Sequence, residues 1–167
     1  ADTTVMDSTL VEARIGSAND VTTPIDMIMA GTLRINIPND GQIHTATGGC
    51  YASEDNHLLA FLPLMRAAGK HQTVTIQVDT TTQTVFDQDF DLQHDNYVQP
   101  ASPIQIGVGN RILTVCSYQN TGGGTLTFGE SSHNESCFNA IYRYPVSATS
   151  SLYDCANGIA SFDMKRE

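Results

Sequence analysis

Basic residues are scarce in this chain. Its 167 residues include 8 Lys and Arg against 18 Asp and Glu, for a net charge of −10. No Lys/Arg cluster occurs, which argues against a nucleic-acid partner, because neutralising phosphates needs a basic patch. Docking on an anionic membrane surface is disfavoured for the same reason. No apolar run approaches the roughly 20 residues of a membrane span, so membrane insertion is not expected. Charged residues of both signs make up only 16% of the chain, so Thr, Ser, Asn and Gln must cover the surface. There is no internal repeat. G-x-S-x-G, P-loop and H-E-x-x-H motifs are missing. "GVGN" (107–110) is a turn rather than a dinucleotide fingerprint, since no helix follows it.

Four cysteines are present, at 50, 116, 137 and 155. None forms a C-x-x-C pair, which argues against structural zinc and thioredoxin-like chemistry. An even number at wide spacing suits two disulfides in an oxidising compartment. The count alone leaves three pairings open. The opening Ala1-Asp2 is what removal of a signal peptide leaves. A secreted, cell-surface or periplasmic location is the expectation.

The length suits one domain over 1–167. The hydrophobic pattern is β almost throughout. Strands are expected near 4–15, 25–37, 43–51, 57–64, 71–79, 83–87, 103–108, 111–119, 124–129 and 136–145. Turn signals separate them, the sharpest being Asn39-Asp40-Gly41 and Gly122-Gly123-Gly124. The best helix candidate is a short stretch at 63–68. Ten short strands without βα alternation imply an all-β, antiparallel jelly-roll sandwich. Residues 1–26 form an N-terminal strand or extension, and the tail 156–167 is expected to fray.

The segment "GESSHNESC" (129–137) gathers a histidine, two carboxylates and a cysteine. It follows "GNRILTVCSYQNT" (109–121) and precedes "NAIYRYP" (139–145). In this order the three resemble the C-terminal domain of copper type II, ascorbate-dependent monooxygenases, the peptidylglycine α-hydroxylating and dopamine β-monooxygenase group. Upstream, "AGTLRINIPNDGQIHTATGGC" (30–50), "NHLLAFLPLMRAAGK" (56–70) and "FDQDFDLQHDNYVQ" (86–99) are similar to the family's segments in the same order. In the last of these, Leu92 stands where Trp is usual. The resemblance covers roughly residues 27–155. It implies the pairings Cys50–Cys155 and Cys116–Cys137. Loop closure would then give roughly 3–5 kcal/mol for each.

The family's catalytic copper in this domain takes two histidines of an H-x-H and the methionine of an E-M-C. On a strand, H-x-H puts both imidazoles on one face, and a thioether suits Cu(I). The matching positions here are Leu64, Arg66 and Ser136. Leu binds no metal and a guanidinium repels one. The resemblance therefore implies a monooxygenase-like fold without the copper cofactor, and no catalytic or cofactor-binding residue is assigned. The rival reading is a divergent copper monooxygenase or copper-binding protein using other ligands. A site from His57, Met65 and His133 is its most concrete form. Met27 and Met29 share one strand face and are expected to serve core packing or an edge. His44, His71, His94 and His133 fall on turns and strand ends. Asp87, Asp89 and Asp91 place oxygens at alternate positions, but Phe90 interrupts a hydrophilic calcium loop. Asn134-Glu135-Ser136 is an N-x-S sequon, with Asn134 an acceptor only in a source that glycosylates.

The functional expectation is a non-catalytic structural or binding subunit of an extracellular assembly. Its partners would be other protein chains, including copies of itself. The N-terminal "DTTVMDSTLVEARIG" (2–16) has few charges to blunt pairing. It could add to a neighbour's sheet edge, giving filaments if the contact does not close, or pair within its own sheet.

Overall fold

The computed structural model describes residues 9–94, 97–129, 131, 133–148 and 152–156. Ten strands follow one another: β1 (Asp26–Thr32), β2 (Asn36–Ile37), β3 (Ile43–Tyr51), β4 (Asn56–Leu64), β5 (Gly69–Val78), β6 (Thr81–Asp89), β7 (Ile104–Ile106), β8 (Arg111–Gln119), β9 (Leu126–Thr127) and β10 (Cys137–Tyr144). One four-stranded sheet has the order β1-β10-β4-β7, and a second has β3-β8-β5-β6. Every pair in both is antiparallel. Apart from the β5–β6 hairpin, the strands of these two sheets alternate between them along the chain, as in a jelly roll. β2 and β9 form a small ribbon beside them. Among the described residues no helix is long and apolar enough to cross a membrane.

β8 shows why these sequences form this fold. Its burial alternates strictly along Arg111–Gln119, sending Ile112, Thr114, Cys116 and Tyr118 inward. Ile112 packs with Ile28, Leu58, Phe61, Ile141, Val74, Ile76 and Phe86 in one apolar cluster, and Cys116 and Tyr118 pack with Ile35, Ile37, Ala46 and Met65 in a second. A polar bridge crosses the core between the sheets. Gln72 Nε2 donates to the Phe138 carbonyl at 2.9 Å, and Asn139 Nδ2 donates to Gln72 Oε1 at 2.8 Å. The disulfide Cys116–Cys137 also joins the sheets, β8 to β10. Cys50–Cys155 ties β3 to the segment 152–155. That segment in turn covers the edge of β1, where Met29 N–H donates to Leu152 O and Gly31 N–H to Cys155 O. β1 and β3 approach so closely that a side chain at Gly48 would collide with the Gly31 backbone, which closes this side of the sandwich.

Three expectations are corrected here. Residues 9–15 of the expected strand 4–15 are not in a strand, and 1–8 lie outside the described residues. Residues 10–15 are exposed and belong to no strand. Beyond it, Ala18–Asp20 form a 3-10 turn, with Ser17 and Asp20 in a reciprocal capping box. The S-x-x-D spacing was legible, but "GSAND" reads equally well as a turn. The expected strand 25–37 is two strands, because Thr32 Oγ1 accepts from Arg34 N–H and bends the chain out of the sheet. The helix candidate 63–68 is the end of β4 and a tight turn closed by Gly69 N–H to Arg66 O. Pro63 supplies no N–H there and sits opposite Asn139 in the sheet. Of the tail 156–167, Ala156 is buried and 157–167 lie outside the described residues.

Candidate functional site: the outer face of the first sheet

A half-solvated antiparallel sheet usually carries polar residues outward. The first sheet does not. Its register places Met27, Tyr142 and Ala60 side by side, then Met29, Ala140 and Leu62, then Gly31, Phe138 and Leu64. The alternate rows, including Ile28-Ile141-Phe61, belong to the core. The three rows therefore face outward, and all are non-polar. At one end Phe128 and Tyr153 pack edge-on against Phe138. At the other end Ile25, Leu59, Leu62, Tyr97 and Tyr142 line a groove of about 320 Å³.

The positions that the resemblance matches to copper ligands lie at the covered end. Leu64, Arg66 and Ser136 line one pocket of about 500 Å³, with Met29, Phe138 and Tyr153 among its other walls. Ser136 Oγ donates to the Leu64 carbonyl at 3.1 Å. Glu135 lies beneath, fully buried. Its carboxylate accepts from the backbone N–H groups of Ala68 at 2.7 Å, Arg66 at 2.9 Å and Ser136 at 3.3 Å. Burial pushes this carboxyl above the ordinary carboxylate range, against the pull of those three donors. Burial likewise raises the Tyr118 phenol, whose hydroxyl donates to Ser136 O at 2.8 Å. Glu135 thus clamps the β4–β5 turn to the start of β10. These side chains do not fit a copper ion: the three converging positions offer an aliphatic group, a cation and a hydroxyl already donating to a carbonyl.

The remaining sequence candidates are scattered. His57 stacks on Tyr144 with ring centroids 4.7 Å apart, near the start of β4. Met65 follows the far end of β4 and packs with Cys116, Cys137 and Tyr118. Eight residues of extended chain, about 26 Å, separate them, so a site from His57, Met65 and His133 is not assembled. Met27 and Met29 sit neither in the core nor at a bare edge, but on the outer apolar face. Imidazole–carboxylate pairs take up three other histidines: His44 with Asp40 at 2.9 Å, His94 with Asp91 at 2.6 Å, and His71 with both Asp87 at 2.8 Å and Asp89 at 2.9 Å. The run 87–91 therefore spends its carboxylates on imidazoles. Asn134 is half-buried beside the Gly122–Gly124 loop and directs its amide nitrogen to Thr127 O at 3.4 Å. Among the described residues no group of three or more His, Cys, Asp or Glu is placed to hold a metal ion.

The sequence reading missed Leu62, Phe128, Tyr142 and Tyr153. A signal was available for Leu62 and Tyr142: "NHLLAFLPL" and "CFNAIYRY" are near-continuous apolar runs, the pattern of strands covered on both faces.

No protein-family model matches this chain, and no curated protein matches it in sequence. Among solved structures it is similar to the infectious bursal disease virus Gx strain structure, at 13% identity and TM-score 0.33, over 79% of this chain and 37% of the viral one. The VP2 subviral particle of the same virus gives 12% identity and TM-score 0.35, over 79% and 36%. This chain thus spans little more than a third of those proteins. At that level of superposition they carry no argument about what this chain does.

Proposed function

We propose that this chain is a non-catalytic β-sandwich module, related to the C-terminal domains of copper type II monooxygenases, that serves as a structural or binding subunit of an extracellular assembly. The observation that carries the reading is the outer face of the first sheet. Three consecutive non-polar rows there end in a pocket built from Leu64, Arg66 and Ser136. An apolar strip of this kind on a soluble domain marks a surface that another protein covers. The convergence of positions 64, 66 and 136, distant in sequence, supports the resemblance, and their identities support the loss of copper chemistry. The two disulfides favour an oxidising compartment.

The test has two arms. Dialysed against Cu(II) with ascorbate, the protein should retain no stoichiometric copper. One tightly held copper per chain, with histidine ligation in X-ray absorption, would overturn the non-catalytic reading. By light scattering across a wide concentration range, the protein should form species larger than the 18.0 kDa chain. A monomer at every concentration would overturn self-assembly.

A further inference from the structure

The first sheet ends at β1, so the outer edge of β1 needs acceptors for its N–H groups. Among the described residues no strand supplies them. The segment 152–155 does: Met29 N–H donates to Leu152 O at 2.8 Å and Gly31 N–H to Cys155 O at 2.9 Å. Tyr153 packs edge-on against Phe138, Cys155 and Ala156 are buried, and the disulfide to Cys50 ties this strap to the end of β3.

The two disulfides differ in place and in cover. Cys116–Cys137 joins the sheets inside the core. Both its residues are 0% exposed, and Gln72 Nε2 lies 3.4 Å from Cys116 Sγ. Cys50–Cys155 lies at the side of the sandwich. Cys50 is 8% exposed and Cys155 2%, and both border a cavity of about 50 Å³ shared with Ser53 and Asn56. Thiol–disulfide exchange needs a thiolate to reach a sulfur, so access helps decide which bond reacts first.

We propose that Cys50–Cys155 is a redox-labile latch: a dithiol reductant opens it while Cys116–Cys137 stays closed, and the strap 152–155 then leaves the edge of β1. One thiolate of the reductant attacks Cys50 Sγ, the S–S bond breaks, and Cys155 departs as a thiolate. The second thiolate displaces Cys50 from the mixed disulfide and closes the reductant's own ring disulfide. Two electrons pass to the protein, and the two protons of the dithiol end on Cys50 and Cys155.

The bond joins positions with a sequence separation of 105. Closed, it keeps the strap seated against the entropy of that long loop. Opened, the strap depends on the short-range contacts of a few residues. The sandwich does not share this dependence. β10 remains paired with β4 and joined to β8 through Cys116–Cys137, and Gln72 and Asn139 still bridge the core. Release uncovers the Met29 and Gly31 N–H groups, which leaves an edge open to strand addition.

The test treats the full chain with graded dithiothreitol at neutral pH without denaturant, traps thiols by alkylation and maps the peptides. This uncharged reductant avoids the repulsion that an anionic thiol meets at a net charge of −10. Cys50 and Cys155 should label together, roughly tenfold or more ahead of Cys116 and Cys137, because of their better access. Hydrogen exchange of the half-reduced protein should then quicken by roughly tenfold or more at Met29 and Gly31, with the amides of β8 as protected as before. Re-oxidation should restore the protection. C50S with C155S should show the same open edge without reductant; if that variant does not fold, the half-reduced native protein decides the matter. Three results would overturn the latch: Cys116–Cys137 opening first or at the same rate, Met29 and Gly31 keeping their protection once Cys50–Cys155 is open, or that opening unfolding the whole chain.

Discussion

The two sheets share one core but differ on their outer faces. On the second sheet the outward rows are Thr45-Ser117-His71, Thr47-Val115-Thr73 and Gly49-Leu113-Thr75. Hydroxyls dominate, and Thr73 donates to Asp87 at 2.8 Å. On the first sheet the outward rows hold Met, Leu, Ala, Phe and Tyr. The second face suits water. The first is non-polar. Every strand pair in both sheets is antiparallel, so the difference lies in the side chains. A jelly roll sets which residues point outward; it does not set what they are.

The comparison is most sharply broken at neighbouring residues of β4. Phe61→Ala removes a fully buried ring facing the core and should cost about 3–5 kcal/mol of stability in urea unfolding. Leu62→Ser, one position on and facing outward, should cost the isolated chain about 1 kcal/mol or less and act on self-association instead. Equal losses from both would mean that Leu62 is part of the fold's own core.

Severing the two sheets comes next. C116S with C137S removes a cross-link over a sequence separation of 21 and should lower stability by roughly 3 kcal/mol by loop-closure entropy. The same two-state unfolding measurement reads it, and a loss below 1 kcal/mol would show that Gln72 and Asn139 couple the sheets unaided. Glu135→Ala should cost about 1–3 kcal/mol, because the N–H groups of Arg66, Ala68 and Ser136 lose their acceptor.

The smallest effect belongs to the second sheet's polar face. The side-chain hydrogen bonds of Asp89 and Asp87 raise the His71 pKa above 6.5, and the hydrogen bond from His71 lowers that of Asp87 below 3.8. The His71 contribution is fully present below pH 6.5 and fades as pH rises through the raised value. The Asp87 contribution is present above pH 3.8 and fades as pH falls through the lowered one. The pair therefore helps between those limits, weakly, because both partners are exposed. Thermal melts from pH 5 to 9 should converge for the parent and His71→Gln at the alkaline end and differ slightly at the acid end. A difference that grows with pH would reverse the assignment.

Much of this difference was written in the chain. "RILTVCSYQ" alternates, and it becomes a strand with one dry and one wet face. "NHLLAFLPL" and "CFNAIYRY" do not alternate, and they become strands whose outward rows are apolar, while the core-facing side of the second holds Asn139 and Arg143. Their apolar content says that two covers are needed, but not which residue meets which cover. The bulge between Tyr142 and Arg143 shifts the register, so no period read along the chain assigns Leu59 and Leu62 to one groove. The N-terminal segment shows the opposite failure. Thr9 to Ile15 has the pattern of a strand, yet the sheets are filled without it.

Composition and spacing alone determined the fold class and the β-rich layout from β3 to β10, because each depends on local pattern. The tertiary structure decided what pattern cannot. It joined Cys50 to Cys155 and Cys116 to Cys137 out of the three pairings the count allows. It brought Leu64, Arg66 and Ser136 into one pocket and set Glu135 beneath three backbone donors. Those contacts join residues about seventy positions apart, and only the register of β4 against β10, fixed by packing on both faces at once, selects them.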